Sequence, residues 1–202
     1  MRPTMLGLLL ALAAATTCVS GGQVAQWHVT VSCASGTSAV AVDGSNRLSQ
    51  WPLAAVRSTY YATALGDRST PLLSLTAVYS LTADLKPSNS KTVAVVSLQP
   101  PAWATTAISS SGSFVGAAVH SVHVCCSAAS GYVSQLVFRT SAGAFVLGDA
   151  SSCPFDAGTA YPPVALGAQV MAMDAIAPED TLGFKELLVQ WDWPPEPPSP
   201  PP

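Results

Sequence analysis

The chain has 202 residues, 49% of them hydrophobic and only 9% charged, with 8 Lys and Arg against 11 Asp and Glu and a formal net charge of −3. An ordinary globular domain carries roughly 25% charged residues. With so few and such scattered cations, neither a nucleic-acid backbone nor an anionic membrane surface is a fitting partner.

In chain order, the first segment reads as a secretory signal. Arg2 gives the positive start, Met5 to Ala15 the apolar run, and Thr16 to Ser20 the small-residue exit. The run is shorter than the ~20 residues a membrane span takes. Residues 1–21 are therefore expected to be removed, leaving a secreted β-domain over 22–193 with no membrane span and a proline-rich tail over 194–202. Four cysteines then remain: Cys33, Cys125, Cys126 and Cys153. An even number in a secreted chain implies two disulfides. Neighbours on a strand face opposite ways, so Cys125 and Cys126 take different partners, one of them Cys33 and the other Cys153. A bond between Cys125 and Cys126 themselves would require a strained peptide.

The dominant periodicity is two. Trp27 to Cys33, Leu72 to Thr82, Thr92 to Leu98 and Ser121 to Cys126 read as half-buried strands. Within the second of these, Leu73, Leu75, Ala77, Tyr79 and Leu81 are apolar, while Ser74, Thr76, Ser80 and Thr82 stand between them. Tyr132 to Thr140 and Ala144 to Leu147 flank Ser141-Ala142-Gly143, a hairpin with Gly at its turn. Asp43-Gly44 marks another tight turn. Leu187, Val189, Trp191 and Trp193 alternate with Leu188, Gln190 and Asp192.

The stretch Pro52 to Leu65 is open between two readings. Pro near the first position and Gly66 after the last punctuate a helix, whereas Ser58-Thr59-Tyr60-Tyr61 favours strand. Val29 to Gly36 echoes Val122 to Gly131, as a duplicated β-unit or by chance. Pro194 to Pro202 is expected to be an extended polyproline rod. The fold class is all-β and mainly antiparallel: a β-prism or sandwich-like single domain with two disulfides and an extended proline-rich tail.

Chemistry is sparse. His120, His123, Cys125 and Cys126 fall within seven residues, yet on a strand only His123 and Cys125 share a face, and zinc needs three or four convergent ligands. Neither a metal nor a cofactor is expected. Asp149 and Asp156 flank Cys153, and Glu179-Asp180 follow Pro178; all four read as solvated loop acids. The nucleophile elbow, the zinc-protease pair and the phosphate loop are missing from the sequence, so an enzyme is not the expected class. Asn46 and Asn89 lack the acceptor pattern for N-linked sugar.

One stretch resembles a known family. From Ser121 to Ala177 the order of features is similar to the jacalin-related lectins, β-prism binders of carbohydrate. The residues that carry this are Val122-His-Val-Cys-Cys126, the Gly131 turn, Val133 to Gly143 with its Phe-x-Thr-x-x-Gly ending, Gly148, and Leu166 to Ile176. Gly167, Asp174 and Ile176 match the family's closing pattern, while Val170 stands at its second glycine and Met171 at the aromatic position after it. The resemblance implies a sugar site in which Gly167 and Asp174 contact hydroxyls. Trp191 or Trp193 is a candidate stacking platform, the other reading being that both are core residues. The Ser-Pro tail resembles the hydroxyproline-rich glycoproteins of plant and green-algal cell walls.

These features together lead to the expectation of a secreted, non-catalytic, lectin-like carbohydrate-binding module of an extracellular matrix or cell wall, with glycans or wall glycoproteins as partners. The alternatives are a structural wall glycoprotein without a sugar site and a polysaccharide-active enzyme.

Overall fold

The computed structural model describes residues 26–42, 53–62, 71–80, 90–100, 102, 106–114, 117–128, 130–148, 153, 155–162, 168–178 and 182–192. The signal segment, the Asp43-Gly44 turn, Asp149, Gly167, Glu179-Asp180, Trp193 and the proline tail lie outside them.

The described residues form strands and no helix. In chain order these are β1 (Gln26–Ser32), β2 (Gly36–Val42), β3 (Leu53–Ala62), β4 (Leu72–Ser80), β5 (Ser90–Ser97), β6 (Thr106–Ser113), β7 (Val119–Cys126), β8 (Val133–Thr140), β9 (Gly143–Gly148), β10 (Phe155–Ala160), β11 (Gln169–Ile176) and β12 (Glu186–Asp192). They make three 4-stranded sheets, ordered β11-β12-β1-β2, β10-β7-β8-β9 and β5-β4-β3-β6, with antiparallel ladders throughout. In the second and third sheets three consecutive strands meander and the fourth returns beside the first, which is a Greek key. The first sheet joins the two ends of the described chain, with Trp27 opposite Trp191.

The sheets close on one another in turn. Edge strand β2 lies against β10, β9 against β6, and β5 against β11, so three sheets surround one core as a prism. Val31, Val189 and Trp191 enter the core from the first sheet, Leu136, Phe138 and Leu147 from the second, and Val56, Leu75 and Tyr79 from the third. Each such aliphatic or aromatic side chain contributes about 1.5–3 kcal/mol by leaving water. Phe114 ties two sheets together, its ring 5.6 Å from Phe138 and 5.3 Å from Phe145.

Glycines allow two of the edges to meet. A Cβ on Gly112 of β6 would lie 2.9 Å from Cβ of Phe145 on β9. Gly158, at the bulge of β10, has φ +118, and a Cβ there would overlap the hydroxyl of Thr37 on β2. That backbone conformation is one that L side chains rarely adopt.

The disulfides are Cys33–Cys126 and Cys125–Cys153, so the adjacent cysteines do take different partners. The two echoed segments form β1 and β7, and the cysteines that close them bond each other across two sheets. The helical reading of Pro52 to Leu65 is wrong over 53–62, which is strand β3. Pairing on both sides, with β4 and β6, satisfies its backbone and overrides the local Pro and Gly punctuation.

Candidate functional site

Alternation along β3, β4 and β6 divides their side chains between core and solvent. Val56 and Ala77 are fully buried on the inner face, opposite each other across the ladder. The outer face carries the intervening residues in register. One row runs Thr76, Arg57, Ser111 and the next Ser74, Thr59, Ser109. Together with Ser58 and Ser110 they line a shallow depression of about 500 Å³. Ser58 and Ser110 hydrogen-bond each other at 2.8 Å, and Ser110 Oγ also accepts from the Gly148 amide at 3.1 Å, which anchors the floor to β9. Thr59, Ser74, Thr76, Ser109 and Ser111 have no side-chain partner among the described residues, and Arg57 is exposed with no paired carboxylate among them. The result is a flat array of hydroxyls, each able to donate and accept, around one guanidinium with five fixed donors.

The residues expected from sequence lie elsewhere. Asp174 is exposed on β11, opposite Leu188 of β12, on the outer face of the β11-β12-β1-β2 sheet. Its Oδ1 accepts from the next amide, Ala175 N, at 2.8 Å. It therefore belongs to a strand, and Val170, the departure from the family's glycine, is buried in that same strand beside a bulge. Trp191 is 0% exposed. The platform reading fails for this residue: its ring fills the core and offers no face to a ligand. Gly167 and Trp193 lie outside the described residues.

Polar groups also accumulate beside Asp174. On the same face, buried Gln26 and Gln190 and half-buried His28 hold side-chain atoms without a hydrogen-bond partner among the described residues: Gln26 Nε2, His28 Nε2 and both polar atoms of Gln190. Burial alone depresses the His28 pKa below its ordinary value. On the inner side, Tyr79 accepts a hydrogen bond from Met173 N at 3.0 Å. Burial of that phenol, with the Asp174 charge adding to it against the Met173 bond, raises its pKa from 10.0 to about 12.

No family model and no curated protein matches the chain. Solved structures do. PirB is 16% identical over 71% of this chain and 29% of its own, with a TM-score of 0.49. A Malaysian banana lectin is 10% identical over 71% of this chain and 84% of its own, at 0.44. The mosquito-larvicidal Cry4Aa toxin of Bacillus thuringiensis is 11% identical over 73% of this chain and 28% of its own, at 0.46. This chain thus spans less than a third of PirB and of Cry4Aa. Likeness at this level carries nothing about activity.

The hydroxyl face is a candidate that the sequence alone did not single out. Its signal was present in Ser74 and Thr76, the polar half of the alternation in β4, and in Ser109 and Ser111. In the fold β3 brings Arg57 between them.

Proposed function

We propose that this chain is a secreted, non-catalytic carbohydrate-binding protein of an extracellular matrix or cell wall, and that the Arg57 face of the β5-β4-β3-β6 sheet is its contact surface. The observation that carries the reading is the depression of about 500 Å³ lined by Arg57 and seven Ser and Thr residues. Sugar hydroxyls and protein hydroxyls pair as mutual donors and acceptors, and a guanidinium can span two neighbouring oxygens of one ring or grip a uronate carboxylate in two parallel bonds. Shallow, open relief suits a polymer chain lying across the strands rather than a small molecule engulfed. The proline tail would carry O-linked sugar and act as a spacer between the domain and its surroundings.

A glycan array probed with the protein from an oxidising host tests this, with Arg57→Ala and Asp174→Ala as paired variants. Selective binding that falls at least tenfold in Arg57→Ala and survives in Asp174→Ala is expected. Loss confined to Asp174→Ala would move the site to the face the lectin resemblance implied. A silent array from folded protein would refute sugar binding. It would leave the structural wall glycoprotein, the reading favoured by the burial of Trp191 and by the strand conformation at Val170.

A further inference from the structure

At the edge of the β10-β7-β8-β9 sheet, cross-strand register gathers a second polar cluster. His123 and Cys125, two apart on β7, share a face, and across the ladder stand Thr159 and Asp156 of β10. His123 Nε2 lies 3.8 Å from Sγ of Cys153. Its Nδ1 is 2.9 Å from the Thr159 hydroxyl and 3.7 Å from Asp156 Oδ1. The His123 nitrogen and the sulfurs of Cys125 and Cys153 all lie within 4.8 Å of one another. While the sulfurs are bonded to each other they carry no charge for a cation.

We propose that reductive opening of the Cys125–Cys153 disulfide creates a site for a thiophilic divalent cation of the Zn2+ class, held by the two thiolates and His123 Nε2. Tetrahedral zinc with bonds of about 2.3 Å to sulfur and about 2.0 Å to nitrogen sets its ligands roughly 3.5–3.8 Å apart, and the imidazole already stands at that distance from Cys153. The outer partners are in place as well. With Nε2 on the metal, Nδ1 carries the proton and donates it to Thr159 or Asp156, the arrangement that orients metal-bound histidines. Three protein ligands leave a fourth position open to water.

The chemistry balances with a dithiol as reductant. Its thiolate attacks exposed Cys153 and expels Cys125 as thiolate, and its second thiol then displaces Cys153, so the dithiol departs as a cyclic disulfide and the protein gains two electrons and two protons. Cation binding releases those two protons. The other disulfide is shielded, since Cys126 is fully buried and Cys33 half-buried, whereas Cys153 is exposed. The prism therefore keeps its link between sheets while the edge opens.

The test starts from the full chain with both bonds formed, reduced with an immobilised phosphine and freed of it, then titrated anaerobically with Co2+. Uptake of one equivalent is expected, with thiolate-to-cobalt charge transfer and the strong visible bands of a tetrahedral ion, and Zn2+ should bleach them. His123→Gln should weaken uptake at least tenfold, and Thr159→Val, which removes no ligand, by about 10–100-fold. Alkylation mapping should find Cys125 and Cys153 labelled while Cys33 and Cys126 remain bonded. The proposal is overturned if the reduced chain takes up no Co2+, if the unreduced chain takes it up equally, if both variants bind as the parent does, or if Cys33–Cys126 opens first.

Discussion

Removing the two disulfides one at a time should affect the fold unequally. Cys33–Cys126 closes a sequence separation of 93 residues and Cys125–Cys153 one of 28. Loop-closure entropy of the unfolded chain then gives about 4.6 kcal/mol of stabilisation at 25 °C for the long loop and about 3.6 kcal/mol for the short one. Packing does not reverse the order. Each bond has one fully buried sulfur, Cys126 or Cys125, while the other partner is half-buried at Cys33 and exposed at Cys153. Cys33→Ala with Cys126→Ala should thus lose about 1 kcal/mol more than Cys125→Ala with Cys153→Ala, and against a typical total of about 5–15 kcal/mol either loss is large. Urea unfolding of the two double variants measures this, compared as free energies in water because losing a cross-link also steepens the urea dependence. Equal losses, or a larger one for the Cys125–Cys153 pair, would refute the loop-length reasoning and show native strain or packing to be in control.

The remaining predictions concern the core. Tyr79 ionises near 10.0 when unfolded and at about 12 when folded. Its contribution is therefore complete below pH 10 and is lost as the pH rises toward 12, a loss of about 3 kcal/mol over the two units. Urea midpoints across that range should fall more steeply for the parent than for Tyr79→Phe, which at neutral pH is itself weaker by about 1–3 kcal/mol because the Met173 amide loses its acceptor. Parallel slopes would contradict the assigned burial. At Gly112 two effects oppose each other. Alanine favours a strand by about 0.5–1 kcal/mol over glycine, but its Cβ would sit 2.9 Å from Cβ of Phe145, and such overpacking costs about 1–3 kcal/mol. Gly112→Ala should be net destabilising in thermal unfolding, and a raised midpoint would mean that β6 and β9 approach less closely.

The parts of the fold legible in sequence are those where one face is apolar and the other is not. Leu72–Ser80, Val119–Cys126 and Val133–Thr140 carry an alternating apolar row, Leu73-Leu75-Ala77-Tyr79, Val122-Val124-Cys126 and Leu136-Phe138, and each runs through the middle of a sheet. Edge strands gave less. β6 reads Thr-Ala-Ile-Ser-Ser-Ser-Gly-Ser, with an inner face of Ile108, Ser110 and Gly112, because it approaches Phe145 too closely for bulk. β10 carries Gly158 and a bulge, which erase the period. β3 misled through its flanks, since a Pro and a Gly mark element ends without saying which element they end. The same physics separates the sites. A motif is local, so Asp174 could be nominated from its neighbours. The Arg57 face and the His123 cluster also need neighbours from other strands: register sets Thr76 and Ser111 beside Arg57, and Thr159 and Asp156 beside the His123 and Cys125 pair that β7 itself supplies.

The pairing of β1 with β12 has a consequence for how the protein is made. Ser32 donates to Glu186 across 154 residues. At about 5–20 residues per second, synthesis separates the two by roughly 8–30 s. Both Greek keys lie between them and can complete themselves on the ribosome, whereas the β1–β2 hairpin must wait with one ladder edge unpaired, the kind of edge that recruits foreign strands. Cys126 emerges long before Glu186. A bond from Cys33 to Cys126, once formed, would moor the waiting hairpin to β7 and hold its open edge in place until β12 arrives.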